Sequence, residues 1–449
     1  MSDDPLRQVA VRFGPRRALI DRGEGFWVSW FSLDDLAQTW TATFRRRGLQ
    51  PGERVAVAEP AGVRFAALLF ACIRTGAALV PLDPRAPATV IERVLADSRP
   101  RLIIRDGEIE DLSDPASGSE GDACVLYTSG TTGIPKGVRL TLDNLLASAR
   151  GCREQLGSGS DDRWLLCLSP HHVGGLAIFL RAADANQPMI TLDSFREEEV
   201  LRAVADEHVT LLSVVPTMLS RLLRAGGAEA LSGLRAILVG GAPASAEHVR
   251  EWDRMGLPVC PTYGLTETCS QVATIPPGRA GELAGTAGLV GPHARVELDP
   301  APEFGAGVGE IVVSGPAVSP GYLNPEIRPA PGPEGFHTGD LGRLDDGVLT
   351  VIGRRDDGIV TGGESVQPEE VEAVLRRHPA VVDVAVAGRP DPEWGEVVCA
   401  WVVTGSPLAE SELDSFCREH LTGPKIPRRW TRVEELPRSA GGKLLRRSL

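Results

Sequence analysis

Tyr127-Thr128-Ser129-Gly130-Thr131-Thr132-Gly133-Ile134-Pro135-Lys136-Gly137-Val138 is the stretch on which the reading of this chain turns. It follows the apolar run Ala123 to Leu126, which reads as a strand end. Its glycines let the backbone turn sharply and approach a ligand closely. Thr128, Ser129, Thr131 and Thr132 offer hydroxyls to phosphate oxygens, and Lys136 adds a compact positive charge. Successive backbone N–H groups in such a turn form an anion-binding nest. The spacing G-x-x-x-x-G-K-[ST] of a Walker A loop is absent. A plain Gly/Ser/Thr surface loop has the same composition, so the residues alone leave both readings open.

Working outward, strand and helix alternate on either side. Before the loop, Arg54–Ala58, Ala78–Leu82 and Leu102–Ile104 read as strands, and Arg64–Arg74 and Val90–Leu95 as helices. After it, a helix is expected over Leu142–Gln155. A second alternating run follows, with strands at Trp164–Leu168, Met189–Leu192, Leu211–Val215 and Ala236–Val239. Between these lie helices at Gly175–Ala183, Glu197–Glu207 and Thr217–Arg224. This alternation implies parallel sheets covered by helices. Ligands of such sheets bind beyond the carboxyl ends of the strands. Three clusters stand there: Ser169-Pro170-His171-His172, Gly240-Gly241-Ala242-Pro243 and Thr262-Tyr263-Gly264. From Gly281 to Gly353, short β-type runs between Gly/Pro turns suggest a small antiparallel sheet or barrel. Beyond it, Pro368 with Glu369 and Glu370 opens a helix, the start of a separate α+β lobe.

The fold class is therefore α/β. A large N-terminal domain (1–353) holds two doubly wound sheets plus the small barrel or sheet. A small, mobile α+β C-terminal domain (357–449) follows, with a hinge near 354–356. At 449 residues, more than one domain is expected. A net charge of −13 argues against a nucleic-acid partner and against attachment to anionic lipid through basic residues. The eight cysteines are scattered without C-x-x-C, so reduced thiols are expected rather than disulfides or zinc. No signal peptide is read, and the run Phe65–Ile73 is too short to span a bilayer. A cytoplasmic protein is expected, and a homodimer is left open.

Tyr263-Gly264-Leu265-Thr266-Glu267-Thr268 combines an aromatic face, a hydroxyl and a carboxylate. The hard oxygen of Glu267 suits Mg²⁺. Alone, this string also describes an ordinary turn, and Gly240–Pro243 a tight strand-to-helix turn.

Taken together, these strings resemble the acyl-adenylate-forming superfamily of acyl- and aryl-CoA ligases, peptide-synthetase adenylation domains and luciferases. The resemblance runs from about Val55 to Lys443, with the motifs in family order. It implies ATP and coenzyme A as co-substrates, Mg²⁺ as cofactor and a small-molecule carboxylic acid as the partner. The Thr128–Lys136 stretch (Thr128, Ser129, Gly130, Thr131, Thr132, Gly133, Lys136) would hold the ATP phosphates. Tyr263 would stack on adenine beside Gly240, Gly241, Ala242 and Pro243. Thr266 would meet the α-phosphate and Glu267 would hold magnesium. Asp340, in His337-Thr338-Gly339-Asp340, would bind the ribose hydroxyls with Arg354, and Asp356 would be the hinge. Gly362 and Gly363 would line the coenzyme A tunnel. Lys443, in Pro437-Arg438-Ser439-Ala440-Gly441-Gly442-Lys443, resembles the catalytic lysine, although Gly441 stands where the family usually has Ser or Thr. Thr128, Thr266, Glu267 and Lys443 would thus carry the catalysis.

Within the superfamily, two stretches resemble the o-succinylbenzoate–CoA ligases of menaquinone biosynthesis. They are Thr266-Glu267-Thr268-Cys269-Ser270-Gln271 and His172-Val173-Gly174-Gly175-Leu176 with Arg181. That acid is a dianion, and its second carboxylate needs a polar or cationic partner. His172, Arg181, Ser270 and Gln271 are the candidates. Other aryl- or acyl-CoA ligases, a carrier-loading adenylation enzyme and a non-catalytic ATP sensor are the alternatives.

Overall fold

The structure is a computed structural model. It describes residues 4–449 apart from 117, 119, 120, 130–134, 327–329, 333, 362, 363, 392, 393, 422, 439–441 and 443.

The first doubly wound unit is a seven-stranded sheet. Its parallel centre runs Asp122–Ser129, Ala78–Pro81, Arg54–Ala58, Leu102–Arg105. The helix Val63–Thr75 covers it and ends where expected, at Gly76 in the left-handed conformation (φ 69°). Strand Asp122–Ser129 runs further than the sequence suggests. It returns as Pro135–Thr141, with Thr128 opposite Lys136 and Ser129 opposite Pro135. The two ends of the glycine-rich stretch are thus the paired arms of a β-hairpin. Its apex, Gly130, Thr131, Thr132 and Gly133, lies outside the described residues. The helix Leu142–Leu156 follows, its first turn closed by reciprocal hydrogen bonds between Thr141 and Asn144.

The second unit is parallel across Val259–Tyr263, Ala236–Val239, Leu211–Val214, Trp164–Leu166, Met189–Thr191 and Arg17–Asp21. No element was expected before Arg54, yet Arg17–Asp21 pairs with a strand about 170 residues away. It is followed by the antiparallel strand Phe26–Ser29 and the helix Trp30–Arg46. So short a strand carries no local signal and is fixed by its distant partner. The expected small antiparallel sheet is present. It is not detached: Ala273–Thr274 pairs with Val259–Tyr263 and carries on into Gly288–Val290, Val348–Arg354, Phe336–Asp345, Gly309–Ser314 and Arg295–Pro300.

One apolar core joins the two units. Phe65 on the first-unit helix meets Phe179 on the second-unit helix Val173–Ala185, ring centroids 5.3 Å apart and both side chains fully buried. Each such side chain contributes about 1.5–3 kcal/mol of burial free energy.

The strand Val348–Arg354 ends in a tight turn, Arg355–Asp357, and the small sheet begins at Ile359. That sheet packs Val384, Val386, Val398 and Val402 against Val371 and Leu375 of the helix Pro368–Leu375 and Leu413 and Cys417 of the helix Glu410–His420. The basic run closing the chain is not a free tail. Arg446 sits among Glu369, Glu372 and Asp357, its Nη2 donating to Glu369 Oε1 at 2.6 Å.

Candidate active site

The polar clusters read from the sequence do lie at the carboxyl ends of the parallel strands. Gly240 to Pro243 follow strand Ala236–Val239, and Gly241 takes a left-handed conformation (φ 78°). A Cβ on Gly240 would lie 2.8 Å from the Thr262 methyl carbon, so the loop and the next strand approach as closely as glycine allows.

Of the residues expected to meet the nucleotide, Tyr263, Asp340 and Arg354 come together. Tyr263 donates its hydroxyl to Asp340 Oδ2 at 2.6 Å, and Arg354 Nη1 lies 3.1 Å from Asp340 Oδ1. Asp340 is not a solvated turn residue. It stands in strand Phe336–Asp345 opposite Arg354 and is 7% exposed. Burial and the neighbouring Asp340 carboxylate push the Tyr263 phenol well above its ordinary pKa.

Thr266 and Glu267 form a single turn after strand Val259–Tyr263. Glu267 is 9% exposed and makes no ion pair among the described residues. Its Oε1 accepts from Tyr322 at 2.6 Å, and its carbonyl accepts from Ser319 N at 2.8 Å. A buried carboxylate oriented by a neutral donor and lacking a counter-ion fits a hard divalent cation such as Mg²⁺. Tyr322 escaped the sequence reading. It belongs to none of the strings read from the sequence, and only its place beside the hairpin marks it.

Of the residues expected to meet the acid, Arg181, Ser270 and Gln271 are brought together. Arg181 Nη2 donates to Ser270 Oγ at 3.2 Å and to Gln271 Oε1 at 3.0 Å. The Arg181 guanidinium carbon lies 5.5 Å from the Trp164 ring centroid. Arg181 is 4% exposed, makes no ion pair among the described residues and has a buried Nε without a partner. Ser270 and Gln271 do not start a helix. Cys269 and Ser270 both have positive φ (53° and 95°), and Gln271 is buried. Consecutive non-glycine residues in that region cost free energy and cluster at functional sites. His293 is a further member missed from the sequence. Its Nε2 donates to the Gln271 carbonyl at 2.7 Å, and it packs where Gly151 leaves room, since a Cβ there would fall 1.7 Å from Nδ1.

His172 does not join Arg181. It is exposed at the N-cap of helix Val173–Ala185, while Arg181 lies nine residues on, roughly 13 Å along the axis. His171 takes the inner position. Its Nδ1 pairs with Ser169 Oγ at 2.6 Å and its Nε2 lies 3.7 Å from Asp83. Burial, with the neighbouring His172, pushes its pKa down to about 4 against the opposing pull of Asp83.

Asp356 is exposed within the turn Arg355–Asp357 that joins the large sheet to the small one. Lys443, Gly362 and Gly363 lie outside the described residues. Beside Lys443, Gly442 approaches the carboxyl edge of the second sheet: a Cβ on it would lie 3.5 Å from Thr217 Oγ1. Its carbonyl accepts from Arg438 Nη1 at 3.0 Å, and Arg438 Nη2 reaches Asp383 at 2.6 Å.

With this geometry in place, comparison with known proteins is informative. Residues 6–122 and 107–323 match the AMP-binding enzyme family, and residues 370–443 match the AMP-binding enzyme C-terminal domain. A 2-succinylbenzoate–CoA ligase of Bacillus licheniformis is 36% identical over 99% of this chain and 98% of its own. The o-succinylbenzoate CoA synthetase (MenE) of Bacillus subtilis, solved with the acyl-adenylate OSB-AMP, superposes with a TM-score of 0.87 at 31% identity, covering 99% of this chain and 97% of that one. The same enzyme has been solved with ATP and a magnesium ion. ATP-bound MatB of Rhodopseudomonas palustris superposes equally well, at a TM-score of 0.88, over 100% of this chain and 98% of its own, but at 27% identity. Fold likeness alone therefore does not select the acid. Among the described residues, no helix is long and apolar enough to cross a membrane.

Proposed function

Because this chain belongs to the AMP-binding enzyme family, we propose that it is an ATP-dependent o-succinylbenzoate–CoA ligase of menaquinone biosynthesis. The carboxylate of the acid attacks the α-phosphorus of ATP and pyrophosphate leaves, giving the acyl-adenylate. The coenzyme A thiolate then attacks the acyl carbon and AMP leaves, giving the thioester. The observation that carries the choice of acid is Arg181, a buried guanidinium without an anionic partner among the described residues. A dianionic acid supplies that partner through its non-reacting carboxylate, flanked by Ser270 and Gln271.

The remaining roles follow the family. Tyr263 and the Gly240–Pro243 loop take the adenine, and Asp340 and Arg354 take the ribose. Both ribose-side groups are already oriented by one another. Thr128, Ser129, Gly130, Thr131, Thr132, Gly133 and Lys136 take the phosphates. Magnesium, when bound at Glu267, neutralises charge on those phosphates. Lys443 and Thr266 stabilise the charge that builds at the α-phosphoryl group, where preorganised donors have most effect. Asp356 is the pivot about which the small lobe (357–449) turns, exchanging Lys443 for Gly362 and Gly363 at the thiol tunnel. His172, exposed at the helix start, is assigned to the mouth of the acid pocket rather than to the buried carboxylate. We take the enzyme to act in the cytoplasm as a homodimer, which light scattering on the purified chain tests.

The deciding experiment follows AMP, pyrophosphate and thioester together. Pyrophosphate should form once ATP and o-succinylbenzoate are present, and AMP and thioester only when coenzyme A is added. Pyrophosphate exchange without coenzyme A turnover would favour carrier loading, and no exchange would favour a sensor. Lys443→Ala should cripple adenylation while sparing thioester formation from supplied acyl-adenylate. Equal loss in both half-reactions would overturn that division of labour.

A further inference from the structure

The chain has three tyrosines, and each donates its hydroxyl to a carboxylate at 2.6 Å: Tyr127 to Asp97, Tyr263 to Asp340 and Tyr322 to Glu267. The third has no counterpart in the roles assigned above. We propose that Tyr322 is a positioning residue for adenylation, holding Glu267 Oε1 so that the other carboxylate oxygen is presented to magnesium, and tying that carboxylate to the phosphate-binding hairpin. The proposal rests on the reading of Glu267 as the magnesium ligand.

The tie is made at several points. Tyr322 is 5% exposed, so packing fixes its phenol. Its backbone and that of Gly321 pair with Val138 and Arg139 of strand Pro135–Thr141, the returning arm of the hairpin. Three residues before Tyr322, Ser319 does the same in a second way. Its N–H donates to the Glu267 carbonyl at 2.8 Å, and its Oγ lies 2.7 Å from the Arg139 carbonyl. Gly321 suits the link, since its φ of 127° and a Cβ contact of 3.2 Å with Ala330 would strain any side chain there. Glu267 lies in a turn between two strands of the second sheet, and the hairpin belongs to the first. Residues Ser319 to Tyr322 therefore stitch together the groups assigned to the metal and to the phosphates.

The chemistry gives the link a purpose. A glutamate side chain has three rotatable bonds, and a metal is held best when its ligand cannot swing. A short hydrogen bond to an ionised oxygen is among the stronger neutral-to-charged contacts. A hydroxyl orients the carboxylate without neutralising it, as a lysine or arginine would. Groups that orient a metal ligand typically cost about 10–100-fold in metal affinity or activity when removed.

The test uses Tyr322→Phe in the full chain. Mn²⁺ affinity is measured by electron paramagnetic resonance in the presence of α,β-methylene-ATP. It should weaken about 10-fold. The magnesium concentration for half-maximal pyrophosphate release should rise in parallel, while thioester formation from supplied acyl-adenylate stays at the wild-type rate. Ser319→Ala, which cuts the tie to Arg139 and leaves the phenol in place, should give a smaller shift in the same direction. Unchanged Mn²⁺ affinity in Tyr322→Phe would overturn the proposal, as would equal loss of both half-reactions with a fall in Tm. Glu267→Gln separates the two levels. If it abolishes Mn²⁺ binding while Tyr322→Phe does not weaken it, the magnesium reading stands and the positioning role falls. If Glu267→Gln leaves binding intact, both fall.

Discussion

Glu267 and Arg181 make an instructive pair. Each is a nearly buried charge, 9% and 4% exposed, and neither has a counter-ion among the described residues. Glu267, on the nucleotide side, is held by the hydroxyl of Tyr322. Arg181, on the acid side, is held by the oxygens of Ser270 and Gln271. Elsewhere several buried charges are paired directly, as Arg74 is with Asp4 at 2.6 Å and Arg446 with Glu369 and Glu372, while Arg54 and Asp21 are held by backbone groups. Leaving a buried charge unpaired is costly. Orienting it with neutral groups keeps the charge available to a ligand of opposite sign. Under the proposed function the two sides would take different partners, a divalent cation at Glu267 and a carboxylate at Arg181.

If that division holds, substitutions on the two sides should differ in kind. The largest effect is expected from Glu267→Gln. It should lower adenylation of every acid by one common factor, about 10²-fold or more, because the lost interaction lies on the shared nucleotide. A factor that varied with the acid would break the comparison.

Arg181→Ala should act the other way. It should raise KM for o-succinylbenzoate about 10–100-fold, the worth of one or two hydrogen bonds to a charged group. Benzoate should be affected far less, since it brings no second carboxylate. Arg181→Lys should recover part of the loss by restoring the charge. If Arg181→Ala slows all acids equally, the guanidinium serves the fold rather than the substrate. Gln271→Ala should show the same acid-selective pattern at smaller size.

The smallest effect concerns His171, beside Asp83, His172 and Arg85. Its folded pKa, about 4, lies below the ordinary value of 6.5, so the unfolded chain binds more protons between those limits. The stability it contributes is complete above pH 6.5 and is lost as pH falls towards 4. In His171→Phe, Tm should therefore decline less over that window than in the wild type. Parallel Tm curves would show that His171 is not responsible.

The two sides also differ in how far they could be read from sequence. The residues assigned to the nucleotide fall in contiguous strings, Thr128–Lys136, Tyr263–Glu267 and His337–Asp340, and are visible for that reason. Even there, Tyr322 stayed hidden because its role comes from pairing with Val138 across the sheet edge. The acid side assembles Arg181, Ser270, Gln271 and His293 from separate segments. Its members could be named one by one, but the separation of His172 from Arg181 is set by their positions on one helix relative to the sheet. The alternating strands and helices were legible from period and turn residues. Arg17–Asp21 was not, being held by Met189–Thr191 far along the chain. The partners of Arg446 were not legible, because nothing near it in sequence shows the carboxylates of Glu369 and Glu372.

The choice of acid is tested most directly by kcat/KM for thioester formation with o-succinylbenzoate, benzoate and octanoate under the same ATP, magnesium and coenzyme A. A site built around a buried, oriented guanidinium should reject acids lacking the second carboxylate by roughly 10⁴-fold, since its own polar groups then go unsatisfied. Turnover of benzoate or octanoate on equal terms with o-succinylbenzoate would contradict the assignment of Arg181 and with it the choice of acid.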